Sequence, residues 1–447
     1  MTPATAVGSA SGLAVDLDPD TVPADVLDAA VDCLLDTVAV GVAGSAEEVV
    51  RLVRGVADEP GACLTFDGRL LGPRAAALVN GTAAHALDFD DWLPAAGVHP
   101  SAPLLPALLA AADLKAAAGR EIDGGQLLGA FVAGFEAQAR IGAAFAPGHY
   151  EAGFHPTATV GVFGAAVAAA RVLGLALPRV GTALAVAATS AAGLRAMFGT
   201  MAKPLHAGRA AEAGLLAVRL AEQGFTAGAD AVAGPRGFAE AHGIDVDREV
   251  LALPFEERWF LREVQFKQHA SCFGTHAAVE AILGLREASG GADVEEIELT
   301  ISDLLASVCA IPMPETPLEG KFSLAFTVAL ALIRGGCGMR DFTAEAVADP
   351  RLRAIATRVR LRYDPDVPPQ RTAARVRLTD GRLLTAEVDS AVLPAAAARR
   401  DAVRRKFDDL VEPLCGPDRT AALREAILGL PSGRSDHRAL RRALAIH

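Results

Sequence analysis

A chain of 447 residues can form two or three domains, and its formal net charge of −12 argues against nucleic acid and anionic membrane surfaces as partners. Hydrophobic residues make up 51% of it, much of that alanine, so a sizeable core can form without a structural metal or disulfide. Six scattered cysteines with no C-x-x-C spacing, no basic and apolar leader, and no P-loop or dinucleotide fingerprint point to a reducing cytoplasm and to chemistry without a nucleotide cofactor.

Met1 to Gly12 is rich in Ala, Ser, Thr and Gly and reads as frayed. Pro23 to Ala43 reads as a helix with Val26, Leu27, Ala30, Leu34 and Val38 on one face. Ala62 to Phe66 reads as a short strand, followed by the turn Asp67-Gly68 and a helix over Pro73 to Leu87. That helix leads into a dense cluster of His85, Asp88, Asp90, Asp91, Trp92 and His99, set between two Ala-rich segments. Such groups are costly to bury unless they are paired or functional.

Helices are expected over Leu104 to Ala118, Gln126 to Phe145, Pro156 to Leu173 and Leu177 to Leu194, with a loop at Pro147 to Gly153. The most apolar run, Val160 to Ala170, is bounded by Arg171 and reads as too short to span a membrane; its Gly161 and Gly164 allow close helix approach. After a break at Arg195 to Thr200, the next helix ends near Gly224.

From about Glu257 the texture changes. Helices at His276 to Ala288 and Phe322 to Arg334 alternate with strand-like Val294 to Ser302, Val359 to Tyr363 and Ala374 to Leu378, the last turning at Asp380-Gly381 into Leu383 to Val388. A basic helical segment follows Ala396. The expected fold is mostly α with a smaller α+β part: a large multihelical domain over 1–260, completed by 396–447, and an α+β lid over 261–395.

One pattern recurs three times. His99-Pro100, His155-Pro156 and Lys203-Pro204 each stand before a long apolar helical run, with His206 close behind Lys203. A single such pair is usually a plain cap. Three of them, each with a cationic or proton-transferring side chain, suggest helix N-termini gathered around a small polyanion.

The ordered motifs AHALDFDDW, HPSAPLLPALL, GFHPTATVGVFGAAVAAARVLGL, KPLHAGRAAEAGLLA, FKQHASCFGTHAAVEA and EGKFSLAFTVALAL cover nearly the whole chain, and in them it resembles the MmgE/PrpD family. That family includes 2-methylcitrate dehydratase, cis-aconitate decarboxylase and iminodisuccinate epimerase. The resemblance implies a large helical domain with a smaller α+β lid, action without a cofactor, and a homodimer. It also implies catalytic Asp88, His99 and His155, with Lys203, His206, Lys267 and Cys272 binding substrate. Trp92 stands where relatives often have Thr, and Cys272 and Phe326 stand where the decarboxylase has His and Tyr.

The implied activity is a lyase, dehydratase or decarboxylase, working at the carbon next to a carboxylate of a small di- or tricarboxylate. An epimerase of an iminodisuccinate-like compound is the alternative, and an inactive binding or scaffold homologue is the alternative from another class. His85, one helical turn before Asp88, is expected to support it. Arg209 is expected to pair with a nearby acid. His and Cys spacings give no three-ligand set, so no metal is expected. Asp88, His99, His155, Lys203 and Lys267 are expected to meet in one pocket between the two parts of the chain.

Overall fold

A computed structural model describes residues 6–290 and 292–445. The fold is mostly α, with one four-stranded sheet in the C-terminal part. The helical body is built around Ala24–Gly44, Pro73–Ala86, Ser101–Ala117, Gly124–Phe145, Gly161–Leu173 and Ala202–Glu222. These helices are buried almost all round, which explains why alanine rather than an amphipathic stripe dominates them.

Small residues set how closely the helices pack. A Cβ on Gly208 would lie 2.3 Å from the Leu78 carbonyl oxygen and 2.4 Å from Thr82 Oγ1, and one on Gly81 would lie 2.7 Å from Gly208 Cα. The helices Pro73–Ala86 and Ala202–Glu222 therefore touch backbone to backbone. Gly161 and Gly164 act similarly against Pro103 and Gln138.

The sheet runs in the order Val359–Asp364, Val294–Ser302, Arg371–Leu378, Leu383–Asp389. The first two strands are parallel and the other pairings antiparallel. Val294, Ile297, Leu299 and Ile301 alternate inward, as do Thr372, Ala374, Val376 and Leu378, against helix His276–Ala288. The helix Ala396–Cys415 returns to pack on Ala24–Gly44.

Four expectations need correction. Residues 6–12 are not frayed: they belong to the helix Ala6–Asp16, whose Ala6, Ala10 and Leu13 form a buried i, i+4, i+7 stripe; residues 1–5 lie outside the described residues. Pro147 to Gly153 holds a short helical turn, Gly148–Glu151, that buries His149. The helix over Pro156 to Leu173 is broken at Val160, and the helix from Leu177 stops at Ala188. The stretch Pro156–Leu173 has the length and composition of a membrane span, but 94% of it is buried inside the protein, in keeping with its reading as a buried run.

The glycine contact generates a prediction. In Gly208→Ala the new methyl meets backbone, which yields little, so stability should fall by about 2 kcal/mol as in other overpacked cores. Equilibrium unfolding in urea checks this; an unchanged midpoint would contradict it.

Candidate active site

The helix Pro73–Ala86 ends at Leu87, and its chain turns through Asp88 in the left-handed region at φ 50°. Aspartate tolerates that region better than most residues. The turn leaves carbonyls without helical partners, and three buried lysines from distant segments supply them. Lys321 Nζ donates to Leu87 O at 2.6 Å, Lys267 Nζ to Asp88 O at 2.9 Å, and Lys406 Nζ to Phe89 O. Cations are favoured at such a helix C-terminus.

The Asp88 carboxylate gathers the centre. Its Oδ1 accepts from Lys267 Nζ at 2.6 Å and from Lys203 Nζ at 2.8 Å. Burial alone would raise this carboxyl, but the ammoniums of Lys203 and Lys267 outweigh it and hold it well below the usual range. Lys203 comes from the first turn of Ala202–Glu222, set beside Asp88 by the Gly81–Gly208 contact. Lys267 is set by a two-bond bridge in which Trp92 and Gln265 exchange backbone hydrogen bonds, both at 2.8 Å.

Around this pair lie four histidines. His85 Nδ1 is 2.8 Å from Asp90 Oδ2, and His85 Nε2 is 2.9 Å from Lys203 Nζ. With Nδ1–H donating to Asp90, Nε2 accepts from the ammonium, which is the neutral tautomer that burial also favours. His99 Nδ1 is 2.9 Å from Asp91 O and 3.2 Å from Asp90 Oδ2, two acceptors that fix the proton there. Its Nε2, 3.9 Å from Asp88 Oδ1, then carries a lone pair. Burial pushes His99 down to about 3. His155 Nδ1 meets His206 Nδ1 at 3.0 Å, so one ring donates and the other accepts. Burial, then the Lys203 charge, hold His155 far below its ordinary value, and burial takes His206 to about 4. Burial, with Asp36 nearby, raises Asp91 to about 8, and Ser101 donates to both of its carboxyl oxygens. Four buried lysines, 203, 267, 321 and 406, thus lie among the buried carboxyls of Asp36, Asp88, Asp90 and Asp91.

Asp88, His99, His155, Lys203, Lys267 and Cys272 line one cavity of about 230 Å³, walled also by residues 304, 305, 308, 369 and 370 of the C-terminal part. His206 does not line it. It stands behind His155, in contact with that imidazole. The His85 imidazole is linked to the Asp88 carboxylate through Lys203, while the His85 carbonyl accepts from Asp88 N–H at 3.2 Å. Lys203 lies inside its helix rather than before it, and His99 stands one residue before the Pro100 cap, whereas His155 is itself a cap. Arg209 pairs with Glu212. Cys272 shares a thiol hydrogen bond with Cys309. Phe326 packs on Phe342, away from the cavity, so its departure from the family pattern does not touch the site.

Sequence reasoning missed Lys321, Lys406 and Asp36 altogether. It also missed that His85, Asp88, Asp90 and His99 bring ligand-capable atoms within 4.8 Å of one another, a set spacing did not reveal. A divalent ion there would have to displace the two ammoniums already on Asp88 Oδ1.

Two family models match the chain: the MmgE/PrpD N-terminal domain over residues 10–250 and the MmgE/PrpD C-terminal domain over residues 269–430. The chain is 30% identical to a cis-aconitate decarboxylase of Mus musculus over 384 residues, 80% of this chain and 76% of that protein. It is 27% identical to one of Aspergillus terreus over 449 residues, 93% and 91% of the two chains, and 31% identical to one of Homo sapiens over 309 residues, 66% and 63%.

Two outcomes follow from the geometry. Asp88→Asn leaves two buried ammoniums without a counter-charge, and stability should fall by about 3–5 kcal/mol, read by thermal or urea unfolding; a loss below about 1 kcal/mol would contradict the shared pairing. His99 should stay neutral with its proton on Nδ1 from about pH 8 to about pH 5 in ¹⁵N NMR, whereas a midpoint near 6.5 would contradict its burial. The linkage has a definite sign. Above about 6.5 the ring is neutral folded and unfolded, so it adds no pH dependence. Below that the unfolded chain alone binds the proton, and this group's penalty on stability grows until about pH 3.

Proposed function

The chain belongs to the MmgE/PrpD family, and we propose that it is a cofactor-independent lyase acting at the carbon next to a carboxylate of a small di- or tricarboxylate. The observation that carries this reading is the convergence of Lys203 and Lys267 on one oxygen of Asp88, beside two uncharged imidazoles. The relatives' names support carbon–carbon cleavage as the reaction.

Each lysine uses two of its three N–H groups inside the protein, Lys203 on Asp88 and His85, Lys267 on the side chain and carbonyl of Asp88. One N–H on each remains for a substrate carboxylate. In decarboxylation the bond from the departing carboxylate carbon to its neighbour breaks and its electron pair spreads into the retained unsaturated carboxylate. The two ammoniums stabilise that charge in a site screened little by water.

The carbanion-like species then takes the Nε2 proton of His155 as the His155 Nδ1 takes the proton shared with His206 Nδ1, and the half-exposed His206 recovers a proton from solvent water, so no ring is left as an imidazolate. His99, with its lone pair on Nε2, is the complementary base; it would remove the α proton if the reaction were dehydration instead. The boundaries proposed for the two parts are 260/261 and 395/396. The second part then acts as a lid that carries Lys267 and Phe273 to the ligand and excludes water.

The test is ¹H NMR in D₂O with cis-aconitate, citrate, 2-methylcitrate, iminodisuccinate and alkyl-substituted dicarboxylates. Loss of CO₂ with one deuterium placed beside a retained carboxylate, or loss of water together with the α proton, is expected, and for loss of CO₂ His155→Gln should lower kcat by about 10²–10⁴-fold, the usual worth of a positioned acid. Deuterium exchange without net conversion would favour an epimerase. No exchange and no conversion with any of these compounds would sink the lyase reading.

A further inference from the structure

The cavity is chemically lopsided. Its cationic groups are Lys203 and Lys267, and no arginine lines it among the described residues. Arg195 sits behind Tyr150, its guanidinium 4.1 Å from that ring's centroid and donating to Tyr150 O and Ser307 Oγ, both at 2.8 Å. The two lysine N–H groups left over match the two oxygens of one carboxylate.

A second carboxylate has neutral donors available. Trp92, Tyr150 and Gln370, residues that carry neutral donors, line the cavity, and the buried Trp92 indole N–H has no acceptor among the described residues. A buried donor without a partner is a cost that a bound oxygen removes. For a third carboxylate no further cation remains. Three imidazoles, of His99, His149 and His155, also line the cavity, but its side nearest the C-terminal part is apolar: Phe273, Leu304, Leu305 and Val308, with Phe322. Trp92 and Phe273 stack with centroids 6.3 Å apart, so the apolar wall continues from the indole. An ionised carboxylate pressed against it would lose its hydration without compensation.

We infer that the substrate is a dicarboxylate bearing a short alkyl or aryl arm, with the arm lying on Phe273, Leu304 and Val308 where a tricarboxylate would place its third charge. This rests on the reading that the cavity is the reaction site, and it narrows the substrate class of that site. At about 230 Å³ the cavity holds roughly eight waters' worth of liquid volume, enough for a small acid with such an arm. The discrimination is asymmetric. An apolar wall gains modestly from each added methylene and rejects a charge strongly.

The experiment is calorimetric titration of the full chain at neutral pH with unreactive probes: succinate, 2-methylsuccinate, 2-butylsuccinate and propane-1,2,3-tricarboxylate. Each methylene should tighten binding about three- to fourfold, and 2-butylsuccinate should bind at least about tenfold more tightly than the tricarboxylate. Val308→Arg supplies a cation on the apolar wall and should reverse that order. A tricarboxylate that binds the wild type as tightly as 2-butylsuccinate, an alkyl series with flat affinity, or a folded V308R with the order unchanged would overturn the inference. Because these probes need no turnover, failure of the lyase reading shows separately, as absence of conversion and exchange while the binding order persists.

Discussion

One carboxylate oxygen shared by two buried ammoniums is the contact on which the site depends. Asp88 lies 115 residues from Lys203 and 179 from Lys267 along the chain, yet both reach its Oδ1. Taking these charges out of water costs several kcal/mol per ion, and only close geometry with further hydrogen bonds offsets it. The further bonds are present. The Leu87, Asp88 and Phe89 carbonyls each take a lysine, and His85 and Asp90 complete the shell around Lys203. A cluster this costly is a poor way to gain stability, whereas two ammoniums at the edge of one cavity are well suited to holding an anion.

The same cluster sets the protonation of its neighbours. Burial keeps both His155 and His99 uncharged, with the Lys203 ammonium adding to the effect at His155. The backbone acceptor at Asp91 O decides which His99 nitrogen holds the proton, and the His155–His206 contact gives the second ring a partner toward the half-exposed side of the helix Ala202–Glu222. Tautomers are thus fixed by residues that do not line the cavity.

Much of the architecture was legible in the sequence because local patterns encode it. The alternation in Val294–Ser302 and the helix His276–Ala288 appear as read, since period and caps are local signals. Residues 6–12 were misread because small residues look like linker until a neighbouring core buries them. In the site, Asp88, His99, His155, Lys203 and Lys267 stood out by motif. Lys406 did not, because it sits among Arg404, Arg405, Asp408 and Asp409 on a helix that reads as solvated; only the packing against Ala24–Gly44 turns it inward to Asp36. Lys321 carried a faint mark, a lone cation between Gly320 and the apolar run from Phe322, but no local rule says that it caps a helix 234 residues away. Long-range pairing of charges is a property of the fold, and periodicity does not report it.

The most direct measurement of the central claim is the ionisation of Asp88 itself, followed by ¹³C NMR of its side-chain carboxyl and assigned by comparison with Asp88→Asn. With two ammoniums on its Oδ1, the carboxylate should remain ionised down to about pH 4 and below, for as long as the fold persists. A titration midpoint at or above the ordinary aspartate value of 3.8 would show that burial outweighs the lysines, and the shared-charge account of the site would be wrong.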